Sequence, residues 1–124
     1  MPLRFESAPY ALPLRRPLVT AAGTIHERRG WLLRLYEGDV CVGLGEVAPL
    51  PGAGTETLPD AAAGLEEVTS LSRFPLTLGL DPGSPASWAT VLEASFPALP
   101  SLRMGLETAL WDRLARQRRE ELAE

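Results

Sequence analysis

The stretch GLGEVAPLPGAGTET, from Gly43 to Thr57, separates two parts of the sequence that have different hydrophobic periods. Before it, apolar residues alternate with polar ones, which is typical of half-buried β-strands. After it, apolar residues recur every three to four positions, which is typical of amphipathic helices. The stretch itself is rich in glycine and proline, so it predicts the loop at which the chain changes from sheet to helix.

The glycines of this stretch also suggest a phosphate-binding loop, because Gly43 to Ala48 satisfies the pattern G-x-G-x-x-A. In a dinucleotide-binding fold that pattern opens directly into a helix whose N-terminus binds the pyrophosphate. Here Pro49 and Pro51 intervene, and the helical pattern starts about ten positions late. Glu46 would also place a carboxylate in the anion site. A nucleotide-binding function is therefore not predicted.

The residues before the stretch predict an antiparallel meander of three strands. The first strand alternates at Leu3 and Phe5, then alternates in the opposite phase over residues 10–14. This change of phase predicts a bulge over Ser7–Pro9. The second and third strands share a short hairpin turn at residues 37–39, and their apolar positions are Trp31, Leu33, Leu35, Val40, Val42 and Leu44.

Three helices are predicted after the stretch. The first spans Leu58–Ser70, with Thr57 as N-cap and Asp60 as its capping-box partner. The second follows an N-cap at Ser84 and ends before Pro97. The third opens at Ser101 and has an unusually wide apolar surface, formed by Leu102, Leu106, Leu110 and Leu114 with Met104, Ala109 and Trp111 beside them. Between the first two helices, residues 73–83 predict a loop.

This order of elements predicts an α+β domain in which a three-stranded antiparallel sheet packs on a bundle of about three helices. The chain of 124 residues is expected to be one domain. Its predicted parts are the sheet over residues 1–47, a loop over 48–57 and the helical part over 58–119.

Composition excludes several functions. All 12 basic residues are arginine, so lysine chemistry is impossible, and the net charge of −4 argues against nucleic acid or an anionic membrane as a partner. With one histidine, His26, a two-histidine metal site is excluded. The single Cys41 is interpreted as a small buried apolar residue. Because the chain has no long apolar segment and cannot form an intrachain disulfide, a cytoplasmic protein is expected.

The stretch and its flanks resemble a family signature. The segments LRRPLVTAAGTIHERRGWLLRL, GLGEVAPLPGAGTETL and PSLRMGLETALWDRLA, in this order, resemble the N-terminal capping domain of the enolase superfamily. Within that superfamily they are most similar to the o-succinylbenzoate synthase group. Muconate cycloisomerases, dipeptide epimerases and N-succinylamino acid racemases carry related capping domains, so the reaction stays open.

The resemblance implies that two loops close over the mouth of a catalytic barrel. On this sequence they correspond to residues 18–26 and 48–55, and the implied substrate-closing residues are Val19, Thr20, Ala21, Ala22, Gly23, Ile25, Leu50, Pro51 and Gly52. Taken without the resemblance, residues 49–52 read equally well as a stiff connector between sheet and helix. Glu46 and Glu107 are interpreted as structural.

The catalytic barrel is expected to be missing from this chain, because eight βα units need roughly 250 residues. In the resembling enzymes the barrel holds a pair of lysines and the acids that bind magnesium, so this chain is expected to contribute no catalytic residue, no metal ligand and no cofactor site. The implied partner is the barrel. The alternative is a free-standing module that binds itself or another protein. A homo-oligomer is expected, with contacts at Leu50 and Val19 or at the helix face around Met104 and Trp111.

Overall fold

The computed structural model describes residues 3–21, 23–70 and 78–123. Three strands, β1 (Leu3–Thr20), β2 (Gly23–Glu37) and β3 (Val40–Val47), form an antiparallel sheet in the order β1-β2-β3. Three α-helices follow, α1 (Leu58–Ser70), α2 (Trp88–Ser95) and α3 (Pro100–Ala123). Single turns of 3₁₀ helix lie at Pro51–Ala53 and Pro85–Ser87. The predicted α+β class, with the sheet first and the helices second, is confirmed.

The start of α1 follows the predicted capping pattern. The hydroxyl oxygen of Thr57 accepts a hydrogen bond from the amide of Asp60 at 3.2 Å, so Thr57 caps the helix. For α2 the predicted cap is wrong. The Ser84 side chain makes no capping hydrogen bond, and the turn that begins at Pro85 is 3₁₀, so the α-helix begins only at Trp88. Of the predicted loop over 73–83, residues 73–77 lie outside the described part of the chain.

The predicted bulge in β1 is misplaced. Ser7, Ala8 and Pro9 pair without interruption with Leu33, Leu32 and Trp31. The irregularity instead separates the pair Pro13–Glu27 from the pair Leu18–Ile25, so residues 14–17 of β1 lie opposite His26 alone. The change of phase reflects a change of buried face: Phe5 faces the helices, whereas Tyr10 packs on the opposite, outer face of the sheet. Pro9 is tolerated because β1 is an edge strand.

The core lies between the inner face of the sheet and the three helices. It is formed by apolar side chains from every strand and helix, which include Phe5, Leu33, Leu35, Val47, Leu65, Trp88, Leu92, Leu102, Leu106 and Leu110. Two residues of the wide apolar surface of α3 are exposed. Met104 is 70% exposed, and Trp111 is 47% exposed although its ring packs edge-on against the buried Trp88, with 5.1 Å between the ring centroids. Among the described residues no helix is long and apolar enough to cross a membrane.

The glycines of β3 allow α3 to pack directly on the strand. A Cβ atom on Gly45 would overlap the carbonyl oxygen of Gly105, and a Cβ on Gly43 would overlap that of Ala109. On the helix side, a Cβ on Gly105 would lie 2.6 Å from the carbonyl oxygen of Glu46. The pattern that resembles a phosphate-binding loop is therefore a helix-packing surface. As a consequence Leu44, predicted as an apolar position of β3, points away from α3 and is 47% exposed.

Candidate functional site

The first predicted closing segment is a projecting hairpin rather than a loop. Beyond the pair Trp31–Val47, β2 continues without β3 beside it and pairs only with β1. At its tip Leu18, Val19 and Thr20 pair with Ile25, Thr24 and Gly23. The predicted loop over 18–26 is therefore wrong in its secondary structure. Its β-branched residues favour the extended conformation and override the loop signal that the glycine gives.

The tip of this hairpin is exposed. The Thr20 hydroxyl donates a hydrogen bond to the carbonyl oxygen of Gly23 at 2.8 Å, which closes the turn. Val19 is 78% exposed, and His26 is also exposed. Ala21 is exposed too, whereas Ala22 lies outside the described residues.

The second predicted segment, between β3 and α1, has a defined internal structure. The amide of Leu50 donates to the Thr55 hydroxyl oxygen at 2.5 Å, and the amide of Ala53 donates to the Leu50 carbonyl oxygen at 2.8 Å. Gly54 has φ 92°, which a residue with a side chain adopts at a cost. These contacts hold Leu50, Pro51 and Gly52 in one hydrogen-bonded turn.

A single arginine joins the two segments. Arg28, on β2 near the base of the projecting hairpin, donates from Nη2 to the carbonyl oxygen of Ala48 at 2.9 Å. Its Nη1 donates to the carbonyl oxygen of Pro49 at 3.3 Å. The guanidinium therefore connects the hairpin to the first two residues after β3, where the backbone ladder between β2 and β3 has ended.

A cleft of about 290 Å³ lies between the hairpin and the β3–α1 loop. Its walls are mostly apolar, and its lining residues are Ile25, Glu27, Arg28, Arg29, Pro49, Leu50, Pro51, Leu58 and Pro59. An ion pair between Arg29 and Glu27, with a distance of 2.8 Å between Nε and Oε1, supplies charge at its edge. A larger cleft of about 470 Å³ adjoins it along α1 and shares Arg29, Leu58 and Pro59.

The structure thus brings together three of the nine predicted closing residues. Ile25 comes from the hairpin, and Leu50 and Pro51 come from the β3–α1 loop. Val19, Thr20, Ala21 and Gly23 lie farther out on the hairpin, and Gly52 lies in the hydrogen-bonded turn. None of these five residues lines this cleft. The contact of Arg28 was not predicted from the sequence. The signal that could have revealed it is an arginine on a strand beside a loop with two prolines. Proline has no amide hydrogen, so this loop lacks donors for backbone pairing.

Beside Arg28, the outer face of the sheet holds a tyrosine–carboxylate pair. The Tyr10 hydroxyl donates a hydrogen bond to the Glu46 carboxylate, across β2 from β1 to β3. Gly30 makes this reach possible, since a Cβ there would lie 2.8 Å from the Tyr10 hydroxyl oxygen. Burial and the adjacent Glu46 raise the pKa of Tyr10 to about 12, so the Tyr10 hydroxyl keeps the proton that it donates in this hydrogen bond at physiological pH. Glu46 thereby has a structural role, in line with its interpretation from sequence.

At the other end of the β3–α1 loop, Glu56 is buried with only 6% of its surface exposed. Its carboxylate accepts hydrogen bonds from the amides of Ser101 and Leu102 at the start of α3. Burial disfavours the charged form, but these hydrogen bonds outweigh burial and lower the pKa of Glu56. No role for Glu56 was predicted from the sequence, because its two partners lie 45 and 46 residues away.

The described residues do not fit a magnesium site. Across residues 3–21, 23–70 and 78–123, no three histidine, cysteine, aspartate or glutamate side chains come close enough together to hold a metal ion. Cys41 is half-buried, and its thiol lies 3.6 Å from the carbonyl oxygen of Gly43. Glu107 lines a surface groove on α3 with Met104 and Trp111.

Known proteins are similar to this chain in sequence and fold. A family model described as MenC, N-terminal domain matches residues 5–74. The o-succinylbenzoate synthase of Thermosynechococcus vestitus is 36% identical over 114 residues, which are 92% of this chain and 30% of that protein. This chain therefore spans about a third or less of the length of the curated relatives it matches.

Two crystal structures extend the comparison. The dipeptide epimerase of Methylococcus capsulatus, complexed with Mg and the dipeptide L-Arg-D-Lys, superposes with a TM-score of 0.74 at 26% identity. It matches 94% of this chain and 32% of its own. The o-succinylbenzoate synthase of Thermosynechococcus elongatus BP-1, complexed with Mg in the active site, has a TM-score of 0.50 at 38% identity and matches 64% of this chain and 25% of its own.

A three-stranded antiparallel sheet followed by three helices is the architecture of enolase-superfamily N-terminal domains. Within that class the chain belongs to the MenC N-terminal domain family, whose model covers more than half of its length. It is similar to the N-terminal part of o-succinylbenzoate synthases, as its sequence motifs indicated.

Proposed function

We propose that this chain is the capping domain of an o-succinylbenzoate synthase, a dehydratase of menaquinone synthesis, and that it closes over a substrate held by a separate catalytic barrel. The observation that carries the proposal is the cleft in which Ile25 of the hairpin faces Leu50 and Pro51 of the β3–α1 loop. Both segments lie at the end of the sheet that β3 leaves uncovered, so a partner domain can reach them together.

In this role the chain excludes water and shapes the site rather than performing chemistry. Its apolar closing residues, Ile25 and Leu50 among them, would cover the uncharged part of a substrate. Magnesium, when bound in the complete enzyme, would stabilise the negative charge that develops on the substrate, and its ligands belong to the barrel. The chain lacks lysine altogether, so it also lacks the proton-abstracting pair that the resembling enzymes use.

The proposal is tested by measuring dehydration of the cyclohexadiene substrate with the chain alone, with a separately expressed barrel, and with both. The chain alone should be inactive and should bind Mg²⁺ no better than an ordinary acidic surface. The mixture should turn over faster than the barrel alone. Turnover by the pure chain, or no effect of the chain on a barrel that binds it, would refute the capping role.

A dipeptide epimerase cap is the second candidate, and the similarity to the Methylococcus capsulatus epimerase favours it. The same assay decides between the two reactions when dipeptides are offered beside the cyclohexadiene. Epimerisation of a dipeptide, with no dehydration of the cyclohexadiene, would assign the chain to the epimerases. Muconate cycloisomerase and N-succinylamino acid racemase substrates extend this panel.

A free-standing binding module is the third candidate, supported by the exposure of Met104 and Trp111 on α3. Reading the coding sequence downstream of Glu124 separates it from the first two. A barrel reading frame with paired lysines and three spaced acids would support a cap, and a frame without them would support a module that binds itself or another protein.

A further inference from the structure

We propose that Arg28 is a positioning residue that couples the hairpin to the β3–α1 loop, so that the two closing segments move as one unit. The coupling rests on the proposed closing function for its consequence, but the contacts that produce it are properties of this chain alone. Arg28 is half-buried and binds two consecutive carbonyl oxygens, those of Ala48 and Pro49.

The position of Arg28 in the sheet explains why a side chain is needed there. The ladder between β2 and β3 ends at the pair Trp31–Val47, so no backbone pairing holds residues 48 and 49 to β2. Pro49 has no amide hydrogen and cannot extend the ladder. The planar guanidinium offers donors in a fixed fork and binds both carbonyl oxygens at once, which a single amide could not do.

The hairpin needs such a fixed point because its tip is weakly joined to the sheet. Between Pro13 and Leu18, four residues of β1 lie opposite one residue of β2, so the regular ladder is interrupted just beyond Arg28. The pairs at the tip, Leu18–Ile25 to Thr20–Gly23, are isolated from the pairs below. Arg28 therefore stands where both segments leave the regular sheet, and it fixes the width of the cleft between Ile25 and Leu50.

The Tyr10–Glu46 pair lies near Arg28 in the sheet. Two residues further along β2, Gly30 lets Tyr10 reach Glu46, and that carboxylate lies on the same outer face as the guanidinium. Arg28 is close enough to Tyr10 to lower the pKa of its hydroxyl, although burial and Glu46 raise that pKa more strongly. Polar side chains from all three strands, Tyr10, Arg28 and Glu46, are thus gathered near the base of the hairpin.

The test is amide hydrogen exchange on the whole chain for Arg28→Ala, with Arg34→Ala as the matched control. Arg34 lies on the same strand, is exposed, and forms no ion pair or side-chain hydrogen bond within the described part of the chain. In Arg28→Ala, the amides of Leu50 and Ala53 and those of Ile25 and Glu27 should exchange roughly tenfold faster. The amides of Leu33 and Leu35 in the core should not change. Arg34→Ala should leave all of them unchanged.

A second variant, Arg28→Lys, keeps the positive charge but lacks the forked donors of the guanidinium. It replaces Arg28→Ala in the experiment if that variant does not fold. It should loosen both segments together by a smaller factor. Faster exchange in the loop alone, in the hairpin alone, or throughout the core would overturn the coupling, as would wild-type exchange in Arg28→Lys. The exchange experiment measures no turnover, so it tests the coupling separately from the capping function. If both segments exchange faster together in Arg28→Ala but the chain does not assist a barrel, the capping function is contradicted and the coupling is supported.

Discussion

The carboxylate of Glu56 binds the N-terminus of helix α3 through the amide of Ser101, with 3.0 Å between Oε1 and the amide nitrogen. Its second oxygen accepts the amide of Leu102 at 3.1 Å. The first amides of a helix have no partner within the helix and lie at the positive end of its dipole. Glu56 therefore satisfies two of them and fastens the β3–α1 loop, which carries Leu50 and Pro51, to the longest helix.

Replacing Glu56 with glutamine should lower the free energy of unfolding by about 2 kcal/mol, because hydrogen bonds to a buried charge are lost and an NH₂ group then faces an amide N–H. Urea unfolding measures this change. Glu93→Gln is the matched control, since Glu93 is exposed on α2, and it should stay within about 0.5 kcal/mol of the wild type. Equal effects of the two substitutions would contradict the role given to Glu56.

The same residue predicts a pH dependence. Its pKa in the folded chain lies below its ordinary value of 4.5, so the unfolded chain binds the proton more tightly. The stabilisation from Glu56 is therefore fully present above pH 4.5 and is lost as the pH falls through the lower folded-state pKa. Unfolding curves at several pH values should show the wild-type advantage over Glu56→Gln shrinking on acidification. An advantage that grows below pH 4.5 would contradict a lowered pKa of Glu56 in the folded chain.

Local patterns were predictable from the sequence, and distant contacts were not. Thr57 caps α1 because its partner is three residues away, and the alternation of β2 identifies Leu33 and Leu35 as core residues. The Glu56–Ser101 contact joins residues 45 positions apart, so no window of sequence contains it. The bulge was misplaced because the outward position of Tyr10 depends on the space that Gly30 leaves on the neighbouring strand.

The same limit applies to the candidate site. The family motifs predicted two closing segments, and the structure places Ile25 of the first beside Leu50 and Pro51 of the second. They did not reveal that the first segment is paired as a hairpin, nor that Arg28 holds the second. Both facts depend on where β3 stops relative to β2, which side-chain periodicity does not encode.

Substitution of Gly45 by alanine should destabilise the chain by about 2 kcal/mol or more, because the new Cβ would overlap the carbonyl oxygen of Gly105 and push α3 off the sheet. Thermal or urea unfolding measures the loss. Gly83→Ala is the control, since a Cβ there would lie 3.4 Å from its nearest neighbour, Asp81 Oδ1. If Gly45→Ala is as stable as Gly83→Ala, the close packing of α3 on β3 is not required.

The hairpin tip should exchange its amide hydrogens faster than the sheet below it. The pairs from Leu18–Ile25 to Thr20–Gly23 are cut off from the regular ladder by residues 14–17, and Val19 among them is 78% exposed. The amides of Thr20 and Thr24 should therefore exchange roughly 100-fold faster than those of Leu33 and Leu35. Adding a barrel that binds the chain should slow the tip amides selectively. Equal protection of tip and core in the chain alone would argue against a closing segment that orders on its partner.

Self-association through α3 is the last expectation, and it concerns a groove of about 380 Å³ on the outer side of that helix. The groove is lined by Met104, which is 70% exposed, and Trp111, which is 47% exposed. Light scattering at about 1 mM chain detects contacts near 4 kcal/mol, and the average mass should rise above that of a monomer. Met104→Glu should restore the monomer, because association would then bury a charge.

Leu122→Glu is the control, since Leu122 is 87% exposed on the same helix but outside the groove, and its substitution should leave association unchanged. A wild-type monomer at this concentration, or equal effects of the two substitutions, would rule out this surface. Adding a barrel decides what the groove is for. If the barrel and a second copy compete for Met104, the mass of the self-associated species should fall as the barrel binds; if they do not compete, the groove stays available for self-association in the complete enzyme.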